Sequence, residues 1–269
     1  YVLGERVLNY LNRNLDYIII GRFFGAEALG YYSLAYQVIL VPISKVSQVI
    51  GRVAFPTFSQ VQDSNAKIRF GYTKMVEFIS LVSFPLMGIL FLLAPEFIRA
   101  VYGMRWEPAI VLLRIFCILG AIECIGTTVG GILYAKNHAD IAFRYNIINV
   151  IGTGAAIFVG MQAAGVVGVA AAIAALSFPL AYMWHSKTNA LLELSWGDFL
   201  RPMKFAALGT LVVIILALLT KNALSIDDNM TTILLVGGIA TLFYSALLLV
   251  FNRELLIEAR QMVKSAFET

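Results

Sequence analysis

The sequence predicts an all-α integral membrane protein, a multi-span helical bundle with about eight transmembrane helices. Three observations carry this. Hydrophobic residues make up 60% of the 269-residue chain and charged residues 13%, with a mean hydropathy of +0.83. Apolar runs recur along the whole length, each long enough for the roughly 20 residues that cross a hydrocarbon core. The Lys and Arg residues fall mostly between those runs. A net charge of +4 and a pI of 9.0 therefore describe membrane topology and not a nucleic-acid surface, and no nucleic-acid partner is expected.

Taken in order, the first span covers about 2–23 and ends near Gly25. The second, about 27–56, is long enough to project beyond the bilayer, with a kink expected at Pro42. The third covers about 72–93, the fourth 108–135 and the fifth 139–163. The sixth, about 165–186, carries GVVGVAAAIAA, a small-residue face suited to close helix packing. The seventh and eighth cover about 203–221 and 229–251. The stretch 190–200 and the tail from Arg253, which alternates charged and apolar residues, read as helices lying on the membrane surface. Spans one to six hold nearly all the intramembrane polar groups. The expected division is a six-helix lobe over 1–187, followed by two accessory helices and an amphipathic tail over 188–269.

Orientation follows from the connections. One set of loops plus the tail holds eleven Lys or Arg residues: Lys67, Arg69, Lys74, Lys136, Arg144, Lys187, Arg201, Lys204, Arg253, Arg260 and Lys264. The alternate set holds four: Arg22, Arg99, Arg105 and Lys221. The C-terminus is therefore expected in the cytoplasm. The chain begins at Tyr1 inside a helical pattern without a signal-peptide layout, so further sequence is expected upstream. Cys117 and Cys124 share a helix face two turns apart, too far for a disulfide within that helix, and read as small core residues.

The first span is unlike the others. At 100° per residue Glu5, Arg6, Asn9, Asn12, Arg13 and Asp16 fall within about 120° of arc, with Val7, Leu8, Leu11, Leu15 and Ile18 opposite. Lipid cannot solvate such a face, so it must turn to protein or to a water-filled space, and the helix is expected to wall a hydrophilic cavity. A charge near the bilayer centre costs about 2.5–3.5 kcal/mol on insertion scales, which weighs against keeping Arg13 and Asp16 for packing alone. A structural ion pair between helices is the competing account. On the second span Lys45, Gln48 and Arg52 share a face, although Arg52 sits where it can snorkel to headgroups. On the fourth, Arg114 and Glu123 lie on opposite faces, and Glu123 heads a face with Thr127 near GTTVG. On the fifth, Asn146, Asn149 and Thr153 follow helical spacing and could also simply tie helix to helix. Glu77, His138, Asp140 and His185 lie near loops and read as interfacial.

Enzyme signatures are missing: no HExxH, no Cys/His ligand set, no GxSxG and no phosphate loop ending in Lys-Ser/Thr. No catalytic residue, cofactor or metal is expected.

With these spans drawn, the chain resembles the C-terminal half of an oligosaccharide flippase. The family is the polysaccharide-transporter branch of the multidrug/oligosaccharidyl-lipid/polysaccharide exporter superfamily, and the chain is most similar to its colanic-acid exporter type. The residues that carry the resemblance are NYLNRNLDYIIIGRFFGAEALGYYSLAYQ (9–37), VPISKVSQVIGRVAFPTFSQVQD (41–63) and RFGYTK (69–74). They continue with YGMRWEPA (102–109), LYAKNHADIAFRYNI (133–147) and AAGVVGVAAA (163–172). The resemblance implies two six-helix lobes in a MATE-like fold around a central cavity, worked by alternating access, with this chain as the second lobe plus two accessory helices. It implies an undecaprenyl-diphosphate-linked oligosaccharide, the repeat unit of an O-antigen, capsule or exopolysaccharide, moved from the cytoplasmic to the periplasmic leaflet of the bacterial inner membrane. Implied partners are that lipid-linked oligosaccharide, membrane lipids, the missing N-terminal lobe and polysaccharide assembly proteins. The substrate-binding candidates are Asn9, Asn12, Arg13, Lys45, Gln48, Arg52, Arg114, Asn146 and Asn149, and the coupling candidates are Asp16 and Glu123. A cation-coupled drug exporter of the same fold is the alternative, but it calls for an acidic cavity where the charges here lean basic. A membrane polymerase or ligase is a further alternative, but it calls for a large outer loop, and the outer loops here are short.

Overall fold

A computed structural model describes the backbone of residues 2–60, 64–224 and 228–251, with side chains except at 2–13, 46–47, 49–60, 139, 224 and 251. The surface helix expected from Arg253 lies outside the described residues. Among those described, every regular element is helical. The elements are α1 (Val2–Gln60), α2 (Asn65–Leu92), α3 (Ala94–Val101), α4 (Ala109–Gly126), α5 (Val129–Ala135), α6 (Ala139–Leu191), α7 (Trp196–Leu200) and α8 (Met203–Leu224). The path then runs through α9 (Asn229–Thr232) and a π-helical turn, Ile233–Gly237, into α10 (Gly238–Phe251). Five helical stretches are long and apolar enough to cross a membrane, within 65–92, 109–135, 140–191, 196–223 and 229–250. The protein is an integral membrane helical bundle.

Two long helices are broken where glycine permits it. In α1 the backbone leaves helical geometry at Gly25, with φ 84° and ψ 176°, so the chain folds back there. In α6 the break falls at Ala164 and Gly165, the latter at φ 58°. A positive φ is costly for any residue with a Cβ, so both breaks follow from the glycines. Through Pro42 the backbone keeps helical dihedrals. The third span is longer than expected and starts at Asn65. Ile68 and Tyr72, one turn apart, are fully buried and anchor a polar first stretch to the bundle.

Helix α4 packs against α1, α2 and α6, and α6 also against α1. One continuous core joins α1 to α7 around Ile20, Tyr32, Ile39, Ile79, Leu113, Phe116 and Ile132. Helix α8 lies on α2 and α10 on α8, around a separate cluster of Leu93, Val213, Ala217, Val236, Ala240 and Tyr244. Outward residues of these two helices, such as Leu208, Leu219, Leu242 and Val250, are exposed apolar groups suited to lipid. The small-residue face of α6 is used as its composition suggests: Gly160 and Gly168 approach so closely across the 164–165 break that a Cβ on either would collide with the other's backbone. Gly88 does the same for α2 and α8, since a Cβ there would sit 2.8 Å from Cγ2 of Thr210.

Short α7 is held at its start by Ser195, whose hydroxyl accepts from the Asp198 amide (3.1 Å) and donates to its carboxylate (2.7 Å). Its Phe199 is buried against Tyr72 and His185. His185 is thus a core residue and not an interfacial one. Its Nδ1 lies 2.8 Å from the Tyr72 hydroxyl, tying α6 to α2. His138 stays near the surface, 3.9 Å from Asp140, and Glu77 pairs with Lys74 at 3.5 Å. Cys117 and Cys124 are free and buried.

Candidate functional site

The fold-back at Gly25 sets the two arms of α1 side by side and brings Asp16 to a residue sixteen positions on. The Asp16 Oδ2 accepts from the Tyr32 hydroxyl at 2.7 Å, and Oδ1 accepts from the Tyr17 amide at 2.9 Å. A half-buried carboxylate needs such donors, because desolvation without them is costly. Tyr32 is itself fully buried. Its ring meets Tyr17 edge-on at 5.7 Å and Phe116 of α4 at 5.0 Å, and Tyr36 meets Phe116 at 5.3 Å. Edge-to-face pairs of this kind add about 1 kcal/mol each beyond burial, so the phenol that holds Asp16 is rigidly placed.

Glu123 comes to this region from α4. It is half-buried and lies within electrostatic reach of Asp16 and of Tyr145 on α6. Tyr145 stacks on Trp184 at 4.1 Å, and the Trp184 indole donates to the carbonyl of Gly126 at 3.3 Å. That carbonyl is free to accept because helical geometry gives way between α4 and α5, where Thr127 and Thr128 turn their hydroxyls onto the carbonyls of Cys124 and Ile125. Three helices thus place two carboxylates within electrostatic reach of each other, Asp16 held by Tyr32 and Glu123 within reach of Tyr145.

The other candidates are placed variously. Asn146 and Asn149 are half-buried on α6, and Asn149 accepts from Thr153 at 3.1 Å, within its own helix. Arg114 turns away from Glu123, as the nine-residue spacing requires. Its Nε donates to the carbonyl of Phe91 at 3.4 Å, and its guanidinium lies 5.8 Å over the Phe91 ring, at the end of α2. Lys45 and Gln48 are exposed on the second arm of α1. Asn9, Asn12, Arg13 and Arg52 have side chains outside the described residues. No group of three or more His, Cys, Asp or Glu residues among the described ones is arranged to hold a metal.

Sequence reasoning did not name the aromatic residues near these carboxylates, Tyr17, Tyr32, Tyr36 and Tyr145. The one available signal was the glycine at 25, which makes Asp16 and Tyr32 near neighbours once the arms are laid antiparallel.

Residues 1–111 match the model of a family described as polysaccharide biosynthesis protein. The chain is 38% identical over 177 residues to the teichuronic acid biosynthesis protein TuaB of Bacillus subtilis (strain 168), covering 66% of this chain and 37% of that protein. It is 34% identical over 169 residues to the lipopolysaccharide biosynthesis protein WzxC of Escherichia coli (strain K12), covering 63% of this chain and 34% of that one. Among solved structures, it matches the lipid II flippase MurJ in an inward closed conformation with a TM-score of 0.78. That match has 17% identity and covers 93% of this chain and 52% of that one. The chain therefore spans little more than a third of the curated relatives' length and about half of a structure that shares its fold. The resemblance carried by Asn9–Pro56 and the segments after it is borne out: the chain is related to polysaccharide biosynthesis proteins and has the fold of a flippase half.

Proposed function

From this kinship with polysaccharide biosynthesis proteins, we propose that the chain is the second lobe of a flippase. The complete protein carries a lipid-linked oligosaccharide from the cytoplasmic to the periplasmic leaflet of a bacterial inner membrane by alternating access. It acts as a transporter and not as an enzyme. The observation that carries the reading is the match of nearly the whole chain to half of a flippase fold, joined to relatives whose names place them in polysaccharide biosynthesis.

In this reading the polar face of the first arm of α1 walls the path. Arg13, with Lys45, Arg52 and the amides Asn9, Asn12, Gln48, Asn146 and Asn149, meets the diphosphate and sugar groups. Arg114 is a further cation for that purpose, reached from the end of α2. Asp16 and Glu123 exchange an ion or proton as the lobes rock, with Tyr32 releasing and recapturing the Asp16 carboxylate. We read eight spans by counting each of the two long helices as two, one on either side of its glycine break. For the division into a lobe over 1–187 and an accessory pair over 188–269, the support is the separate apolar cluster of α8 and α10, although that cluster includes Leu93 and the main core runs on through Leu192 and Phe199. The C-terminus lies in the cytoplasm, by the excess of Lys and Arg on that side.

The test is reconstitution of the full-length protein in vesicles holding a fluorescent undecaprenyl-diphosphate oligosaccharide, with quenching from outside reporting leaflet exchange. Protein-dependent exchange of that lipid, and not of a fluorescent phospholipid, is the expected result. No exchange above empty vesicles, or glycosyl transfer in place of exchange, contradicts the proposal.

A further inference from the structure

Away from the carboxylate pair, the start of α2, the short α7 and the start of α8 enclose an open groove of about 680 Å³. It lies where α2 and α8 begin and α6 ends, so all its walls belong to one end of the bundle. That end carries Lys67, Arg69, Lys74, Arg201 and Lys204. Arg69, Lys74 and Arg201 line the groove itself, with the rings of Phe70 and Phe205 beside them.

The cations are not equally committed. Lys74 is tied to Glu77 at 3.5 Å, one of the two carboxylates in the groove. The other, Asp198, is occupied by the Ser195 hydroxyl at the start of α7. Among the described residues Arg69 pairs with Glu193 alone, at 3.8 Å, and that side chain is 78% exposed, a geometry worth little in water. The Arg69 Nε is moreover buried with no hydrogen-bond partner, a state that calls for an acceptor. Arg201 is exposed and has no ion-pair partner among the described residues. Two guanidiniums with open donors on one groove form a receptor for a phosphate oxygen set.

What surrounds the groove selects the source of that phosphate. Phe70 is 66% exposed and Leu200 45%, so an apolar rim adjoins the two arginines at the level where the spans leave the membrane. A free anion gains nothing from that rim, whereas acyl chains do. We infer that the groove between α2, α7 and α8 holds the headgroup of an anionic phospholipid. The phosphate sits on Arg69 and Arg201, and the chains run along the exposed ring of Phe70 on the outside of the α2–α8 seam, which Gly88 and Thr210 close by direct contact. The lipid then braces from outside the seam between the main bundle and the accessory helices. This inference does not rest on the transport reading, and its test reads lipid and not flipping.

The experiment is native mass spectrometry of the full-length protein released from nanodiscs of phosphatidylcholine mixed with phosphatidylglycerol or with phosphatidylethanolamine. Thermal unfolding is followed in the same discs, and in phosphatidylcholine alone with added inorganic phosphate. The wild type is expected to retain phosphatidylglycerol and to unfold at higher temperature with it. Arg201→Gln, at an exposed position that the fold does not need, should weaken retention about tenfold, the loss of one charge-assisted contact. Arg201→Lys should restore part of it, and Arg144→Gln, exposed elsewhere on α6, should change nothing. Equal retention by Arg201→Gln and wild type overturns the inference. So does equal preference for phosphatidylethanolamine, or a matching stabilisation by inorganic phosphate, which would assign the groove to a free anion.

Discussion

Replacing Asp16 with asparagine in the full-length protein is expected to leave the bundle folded and to reduce transport at least about tenfold. The size of that loss is the scale of one charge-assisted interaction removed from a working cycle. The reasoning rests on what Asn keeps and what it loses. Its amide oxygen still accepts from the Tyr32 hydroxyl, which lies 2.7 Å from the carboxylate, and its volume matches. The aromatic contacts of Tyr32 with Tyr17 and Phe116 are untouched. What goes is the charge, together with the second accepted bond, the one from the Tyr17 amide, which the Asn amino group cannot take. A carboxylate kept for packing would tolerate the exchange, whereas one that binds an ion or proton would not. Tyr32→Phe should be milder, because the charge remains and only one donor is lost. Surface-polysaccharide display in a strain lacking its own exporter gives the readout, with membrane-inserted protein measured alongside. Near-normal display with Asp16→Asn would remove this carboxylate from the mechanism.

The second large effect is structural. Lys221, in the last turn of α8, places its Nζ 2.6 Å from Oε1 of Glu96 in α3. Glu96 is 8% exposed, and its other oxygen, Oε2, is buried without a partner. Removing the lysine therefore strands a buried charge. Lys221→Ala should cost about 3 kcal/mol in the unfolding equilibrium, the range for breaking one side of a buried pair. The paired exchange Lys221→Met with Glu96→Leu should recover most of that, since apolar groups of similar volume often replace a buried ion pair at no cost. Denaturant titration of the two single variants and the double variant in micelles closes the cycle. Additive losses would show that the two residues act independently.

Much of this architecture was legible from residue order, for identifiable reasons. Gly25 and the Gly165 region punctuate long apolar patterns, and both are where the backbone breaks, because glycine adopts a positive φ without the penalty a Cβ brings. The small residues of the sixth span meet Gly160 as their size suggests. His185 misled. Nearness to a loop in sequence says nothing about a short helix such as α7 folding back to bury it with Phe199. Arg114 and Glu123 were correctly placed on opposite faces by the 100° rule, but which neighbour each meets depends on α2 and α6 and is not written in their own helix. The pairing of Asp16 with Tyr32 belongs to the same class: it is tertiary, and only the turn between the two arms hinted at it.

The account's central claim is that the first arm of α1 shows its charged and amide face to water at bilayer depth. Single cysteines along residues 5–20, placed in the full-length protein after Cys117 and Cys124 are replaced, test it with a membrane-impermeant thiol reagent. The account predicts labelling at 5, 9, 12 and 13 and protection at 7, 8, 11 and 15. Protection at all of them, or labelling on the apolar side alone, would contradict it.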